Sequence, residues 1–366
     1  MGIVHIILGK ANPNRMNGVN KVVFQLASHQ ASAGKDVQVW GIAEDTIHNY
    51  GERNFETRLF KKSKNPFGIS RELKSAIEES KVEVFHLHGG WIPMYWVVSK
   101  YLKKYGKHMV LTPHGAYNSI AMQKNAWIKK RYFTLFEKFT LNRVNKIHCI
   151  GKSEKEGLES IYPNDKQRLV PYGFEGLRGN LTNKDNGEDF IVGFVGRIDI
   201  HTKGLDLLTE AFARFKKGKN TKLWIVGNSN ELLLLKRRVL ELGISKDTIL
   251  FGSQYGEDKN KLLQQMNIFT HPSRNEGLPT AVLEAASFGV PSVVTEATNV
   301  GKYITKYNAG LCIANENVNA LEEALDLLYH KWENKQMGIY AQNTKSMLEK
   351  EFNWDSLVSQ FDELYQ

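Results

Sequence analysis

Two glutamates eight residues apart, Glu276 and Glu284, lie in Ser273-Arg274-Asn275-Glu276-Gly277-Leu278-Pro279-Thr280-Ala281-Val282-Leu283-Glu284-Ala285, which follows an apolar run and reads as a strand end turning into a helix. Carboxylates grip paired hydroxyls well, because a hydrogen bond to an ionised acceptor is the stronger kind. Pro279 suits a first helical turn, where its missing N–H costs nothing, so the amides near Leu278 and Thr280 fall at a helix N-terminus, an end that attracts phosphate. With Glu276 at the helix entrance and Glu284 two turns inside, the carboxylates would lie about 12 Å apart along the axis. That is about the span from a sugar to a ribose across a diphosphate. A capping glutamate and a surface glutamate have the same spacing, and spacing alone does not choose.

A second cluster, Gly193-Phe194-Val195-Gly196-Arg197-Ile198-Asp199-Ile200-His201-Thr202-Lys203-Gly204, is a strand end running into a loop with two cations. Loops at the C-terminal edge of a parallel strand face the ligand crevice, which would set Arg197 and Lys203 to neutralise a diphosphate; two solvated surface cations are the plain alternative. Near the N-terminus, Gly18 in Asn17-Gly18-Val19-Asn20 follows the first strand and opens a helix, so its backbone could approach an anion, although an ordinary tight turn looks the same. His114, in Thr112-Pro113-His114-Gly115, ends another strand on a crevice edge. Single histidines there, like His86 and His88 in Phe85-His86-Leu87-His88, are ordinarily structural.

Other chemistries lose their support. Gly151-Lys152-Ser153 resembles the end of a phosphate loop, but the position needing the earlier glycine holds Lys146. No GxGxxG follows a strand, so a dinucleotide oxidoreductase has no fingerprint. GxSxG, HExxH and Asp-x-Asp do not occur, which leaves serine hydrolysis, zincin chemistry and a metal-clamped diphosphate unsupported.

The elements that must carry these residues alternate short β-rich runs with longer amphipathic stretches, the pattern of doubly wound parallel sheets. Strands are expected at 3–8, 37–42, 83–88, 108–112 and 146–150, with helices near 18–33, 69–80, 93–105 and 125–143. The pattern lapses over 174–189, rich in Gly and Asn, and restarts at Phe190, with strands at 190–195, 222–226, 248–251, 267–271 and 291–295. The expected organisation is a first Rossmann-like domain over 1–173, a linker over 174–189, and a second Rossmann-like domain over 190–351. Residues 352–366 have helical apolar spacing and form a closing helix free to pack back on the first domain. At 366 residues two cores are expected, and two domains allow a cleft. Hydrophobic residues make up 42% of the chain and charged residues 24%, which leaves no room for a large disordered fraction.

Lys and Arg outnumber Asp and Glu by 49 to 39, so the surface should draw anions: phosphorylated small molecules, anionic lipid or nucleic acid. Cys149 and Cys312 stand apart from any ligand-like company, which argues against zinc and a disulfide framework and fits a reducing cytoplasm. The first residues read as a buried strand rather than a signal peptide, and no run approaches the ~18 apolar residues that span a bilayer.

Taken in order along the chain, the Arg197/Lys203 segment and the Glu-x7-Glu segment resemble the GT4 family of glycosyltransferases, and the resemblance extends over nearly the whole sequence. It implies the GT-B fold, an α/β architecture of two Rossmann-like doubly wound domains facing each other across a cleft. It further implies a retaining enzyme that needs no metal or other cofactor and moves a sugar from a nucleotide-sugar donor to a saccharide acceptor. By the same resemblance, Glu284 holds the ribose hydroxyls and Glu276 those of the donor sugar, while Arg197 and Lys203 neutralise the leaving diphosphate. Gly277, the amides of Leu278 and Thr280, and the turn at Gly18 complete the phosphate cradle, and His114 stands beside the transferred sugar. Two positions depart from the family pattern: Pro279 stands where many relatives have glycine, and Thr298-Asn299-Val300-Gly301 where many have a Gly-Gly loop. A UDP-sugar is favoured and a GDP-sugar is compatible, with cell-surface polysaccharide (capsule or O-antigen) as the product class.

Residues 123–146 combine Lys and Arg with Trp127, Phe133, Phe136 and Phe139. Basic charge beside exposed aromatics suits an anionic interface, so a lipid-linked acceptor at the inner face of the cell membrane is expected, with peripheral contact there; a domain helix with core aromatics and solvated lysines is the alternative. The rivals for the whole chain are a GT-B nucleotide-sugar epimerase and a nucleic-acid-binding protein; no recognition motif favours nucleic acid as a partner.

Overall fold

The computed structural model describes residues 2–13, 18–118, 122, 125–175 and 187–366. Its first sheet contains β1 (Gly2–Leu8), β2 (Asp36–Ala43), β3 (Glu56–Lys61), β4 (Val84–His88), β5 (His108–Thr112), β6 (Lys146–Cys149) and β7 (Gln167–Leu169). Its second contains β8 (Phe190–Val195), β9 (Thr221–Val226), β10 (Thr248–Gly252), β11 (Ile268–His271), β12 (Ser292–Thr295) and β13 (Gly310–Ile313). The strand orders are β3-β2-β1-β4-β5-β6-β7 and β10-β9-β8-β11-β12-β13. Every paired neighbour runs parallel. Parallel sheets carry helices on both faces, so their inner strands are apolar on both sides. β4 is buried along its whole length, and β8 at all positions but Ile191.

Both orders are those of a doubly wound Rossmann-like sheet. Winding reverses between β1 and β4 in one sheet and between β8 and β11 in the other, and ligands in such folds collect outside the carboxyl ends of strands at that reversal. The pairings Ile7 with His88 and Ile268 with Val192 fix which loops meet there.

Strands β3, β7 and β13 and the helix Lys152–Ile161 were not anticipated. β3 reads Glu-Thr-Arg-Leu-Phe-Lys and is an edge strand, whose single buried residue, Phe60, leaves little apolar signal. The helix expected over 125–143 contains a π-helical turn at Phe133–Glu137, and this extra residue per turn carries Glu137 inward.

The chain forms two compact units, Met1–Gly173 with Trp354–Gln366, and Phe174–Asn353. Phe174, at the start of the stretch read as a linker, belongs to the second unit, where its amide donates to the Phe352 carbonyl at 2.7 Å. Most of that stretch, 176–186, lies outside the described residues. The closing helix Trp354–Tyr365 packs on helix Gly18–Ser32 and on β5 and β6 of the first unit. It buries Leu357, Phe361 and Leu364, and Phe361 meets the His148 ring at a centroid distance of 4.8 Å. Trp354 lies against Gly173, where any side chain would collide with the indole. Phe361→Ala should therefore destabilise the first unit by about 3–5 kcal/mol. Urea unfolding followed at a first-unit probe should show its transition move to lower denaturant, with the second-unit transition unmoved.

Candidate functional site

The loops that leave β8 and β11 are laced together in the second unit. Gly204 adopts φ +65°, and an added Cβ there would strike the Pro272 carbonyl, so the β8 loop needs glycine where it meets the end of β11. Arg274 N donates to Thr202 O at 2.9 Å, and Ser273 Oγ donates to the same carbonyl at 2.7 Å. The Arg274 guanidinium reaches His201 O at 2.6 Å, both Asp206 carboxylate oxygens at 2.7 and 2.8 Å, and Glu316 at 2.5 Å. Burial alone would depress its pKa, but the two carboxylates raise it. Arg274 acts as a rivet between the loops, a role its place in the motif did not reveal.

The lacing brings Lys203 against Glu276. Glu276 Oε1 accepts from Lys203 Nζ and from His271 Nε2, the latter at 3.0 Å. Burial would raise the Glu276 pKa, but the His271 hydrogen bond and the Lys203 charge outweigh it and hold the carboxyl at about 2. His271 is buried between Phe194 and Phe269, with nearly parallel rings, and burial lowers its pKa despite the carboxylate. The sequence motifs did not single out His271, the last residue of β11.

Arg197 stands apart from this contact: its side chain is 65% exposed and pairs with Asp199 at 2.9 Å. Asp199 Oδ1 also accepts from Thr202 N at 3.0 Å, which shapes the loop.

The helix after Glu276 begins later than its proline suggested. Pro279 is the N-cap, with φ −73° and ψ 104°, and the helix is Thr280–Ser287. Glu276 therefore precedes the helix, and Glu284 lies about one turn inside it, roughly 6 Å of rise beyond Thr280; the 12 Å axial span falls away. Glu284 is buried and pairs with Lys259 of helix Gly256–Gln265 at 2.7 Å. Leu278 is buried. Asn299 takes φ +57°, the left-handed conformation a glycine would supply, and its amide donates to the Glu276 and Gly277 carbonyls at 2.7 and 2.8 Å. The departure at Thr298-Asn299 thus replaces glycine's freedom with a clamp.

In the first unit, Gly18 opens its helix, is exposed, and has open space where a side chain would point; Asn17 lies outside the described residues. His114, on the loop after β5, is partly buried and has φ +57°. Its ring is hydrogen-bonded on both sides, to His88 at 3.0 Å and to Tyr172 at 2.8 Å. Burial, then the neighbouring His148, lowers its pKa to about 3. Buried Glu154 accepts from the amides of Gly115 and Ile150, fixing the backbone turn that carries the ring. His5, His86 and His88 each bring a ring nitrogen within 4.8 Å of the others. All six of their ring nitrogens already have hydrogen-bond partners within the protein, a set that fits a closed network rather than an ion.

Because Glu276 titrates far below the ordinary 4.5, its contribution to stability is complete above that value and lost as pH falls toward about 2. The stability gap between wild type and Glu276→Gln, measured by thermal melting, should be constant from pH 8 to 5 and shrink below about pH 4.

A family model described as "Glycosyltransferase Family 4" matches residues 16–175, and one described as "Glycosyl transferases group 1" matches residues 182–345. The uncharacterized glycosyltransferase MJ1607 of Methanocaldococcus jannaschii is 23% identical over 233 residues, a match spanning 59% of this chain and 58% of that protein. The GDP-mannose:cellobiosyl-diphosphopolyprenol alpha-mannosyltransferase of Xanthomonas campestris is 22% identical over 346 residues, covering 90% of this chain and 87% of its own. Among solved structures, sucrose-phosphate synthase of Thermosynechococcus elongatus superimposes with a TM-score of 0.76 at 18% identity, over 100% of this chain and 98% of that one. Anabaena HepE in complex with UDP and glucose gives a TM-score of 0.74 at 13% identity, over 99% and 98%.

Proposed function

Since this chain belongs to the GT4 glycosyltransferases, with the GT-B fold, we propose that it moves a sugar from a nucleoside-diphosphate sugar to a saccharide acceptor, with retention at the anomeric carbon and without a metal. The observation that carries this reading is the Lys203–Glu276–His271 contact at the ends of β8 and β11. It sets an ionised carboxylate beside a cation where a doubly wound sheet receives its ligand.

In the proposed reaction the anomeric C–O bond to phosphate breaks and its electron pair leaves with the nucleoside diphosphate. Lys203, with Arg197, stabilises the charge that develops on the phosphate, the role a metal would otherwise fill. The acceptor hydroxyl bonds to the anomeric carbon on the same face, and its proton passes to the departing phosphate oxygen. Glu276 holds sugar hydroxyls and the electrostatics of the oxocarbenium-like centre, Glu284 the ribose, and Gly277, Leu278, Thr280 and Gly18 the phosphate backbone contacts, with His114 beside the sugar. Donor binding must divide Lys203 between Glu276 and phosphate, since the two side chains satisfy each other in the free protein.

A UDP-sugar donor and a lipid-linked acceptor in capsule or O-antigen assembly remain the favoured specifics. The Xanthomonas relative's name pairs GDP-mannose with a diphosphopolyprenol acceptor, which keeps a GDP-sugar in view. Among the described residues no helix is long and apolar enough to cross a membrane. The basic helix does present apolar surface: Trp127 is 64% and Leu135 59% exposed, Ile128 and Phe139 are also exposed, and Arg131 lies 4.0 Å over the Trp127 ring. Phe133 and Phe136 instead pack on Trp91 and Phe67, so only part of the aromatic set faces outward. This supports the reading of peripheral contact with an anionic membrane surface.

A nucleotide-sugar panel scored by nucleoside diphosphate release should find one donor whose turnover survives EDTA and falls at least ~100-fold in Glu276→Ala. Loss of turnover on chelation would remove the metal-free part, and an isomerised donor formed without acceptor would favour an epimerase. Liposomes rich in anionic lipid should float the wild type, and replacing Lys130, Arg131 and Trp127 together should abolish flotation; an unchanged float would end the membrane reading.

A further inference from the structure

Beside His114 the first unit holds a buried polar network in which the position of every hydrogen follows from one atom. Val170 O is a carbonyl and only accepts, so His148 Nε2, 2.7 Å away, carries a hydrogen. His148 is fully buried and neutral, so its Nδ1 accepts from the Thr112 hydroxyl at 2.8 Å. That hydroxyl has used its proton and accepts from His86 Nε2 at 2.6 Å. His86 Nδ1 then takes the Tyr365 hydroxyl proton at 3.1 Å, and the Tyr365 oxygen accepts from Gln30 Nε2 at 2.9 Å.

The Gln30 amide is thereby oriented, with Oε1 accepting from His5 Nε2 at 2.7 Å. His5 Nδ1 accepts from His88 Nε2 at 2.9 Å, His88 Nδ1 from His114 Nε2 at 3.0 Å, and His114 Nδ1 from the Tyr172 hydroxyl at 2.8 Å. Turning the Gln30 amide over would reverse both branches and force His148 to carry two hydrogens. Burial opposes that, lowering the pKa of His148 and of His5 to about 4 and those of His86 and His88 well below the ordinary imidazole value. Asp362 is paired with Lys35 at 2.7 Å, and Glu154, whose carboxyl burial raises to about 7, accepts from backbone amides.

We infer that Gln30 and Tyr365 are positioning residues for His114: through His5 and His88 they lock it as the neutral Nε2–H tautomer. Toward a substrate the ring then offers only Nδ1, an acceptor for a sugar hydroxyl that displaces Tyr172, and no positive charge for a phosphate. The inference rests on the reading of His114 as the group beside the transferred sugar. It also ties the closing helix, which carries Tyr365, to the chemistry of a loop in the first third of the sequence.

Long-range 15N–1H spectra of the imidazoles in the intact protein at pH 7 test the lock without any donor. His5, His86, His88, His114 and His148 should all appear as neutral Nε2–H rings. In Gln30→Glu, a near-isosteric change, the carboxylate accepts from both His5 and Tyr365. His86 then loses its donor and should take a second hydrogen, while His5, His88 and His114 keep theirs on Nε2. In Gln30→Leu, His114 should become a mixture of tautomers, with kcat for the chosen donor falling about tenfold and KM changing little, the size typical when a group that orients an active residue is lost. Tyr365→Phe should act in the same direction more weakly.

An Nδ1–H or imidazolium signature on His114 in the wild type would overturn the inference. So would a His114 spectrum unchanged in Gln30→Leu, or zinc retained stoichiometrically through purification and lost in His86→Ala. Full turnover in His114→Ala would instead remove the reading of His114 beside the sugar and the substrate clause with it, while the donor-free spectra still decide the lock.

Discussion

The site depends on one contact between two loops: a lysine from the loop after β8 held on a glutamate from the loop after β11. Neither residue could hold this position on a free loop, because fixing a long charged side chain costs rotamer entropy that a solvated ion pair barely offsets. The protein removes that cost in advance. Gly204 lets the backbones meet at Pro272, Arg274 ties three carboxylate or carbonyl partners across the junction, and Asn299 closes the third side over the Glu276 and Gly277 carbonyls. Burial of His271 between two phenyl rings then gives the carboxylate a second, neutral donor. Glu276 stays ionised for reasons of architecture.

Much of this was legible in the sequence, and the boundary of legibility has a physical cause. Doubly wound sheets announce themselves through alternation, since each buried strand must be apolar on both faces. Edge strands escape notice for the opposite reason: β3 has solvent on one side and can be as polar as Glu-Thr-Arg. The Glu276 and Lys203 motifs were visible because function fixes residue types at fixed spacing, but their direct pairing was not, because it joins residues 73 apart and depends on β8 and β11 being neighbours. Pro279 misled by one position. It occupies the N-cap with an extended ψ, and the helix waits for Thr280.

The histidines show a different limit. A His-x-His pair on a strand places both rings on one face, and a structural role was the natural reading. What sequence cannot supply is the partner of each ring nitrogen, and those partners come from β1, helix Gly18–Ser32, β5, β6 and the closing helix. A polar cluster this deep in a sheet is tolerable only when every donor meets an acceptor. That requirement is also what makes its proton positions readable.

Charge is thereby divided unequally between the two units. In the second, Lys203 and Glu276 face each other fully charged, suited to a group whose negative charge grows as a bond breaks. In the first, five imidazoles are kept neutral by burial and by one another, a state suited to hydrogen-bonding a hydroxyl rather than to holding phosphate. On the proposed reading an imidazolium at position 114 would attract phosphate, whereas the neutral ring accepts from hydroxyls. Keeping that ring neutral is as much a part of the proposed specificity as placing the lysine.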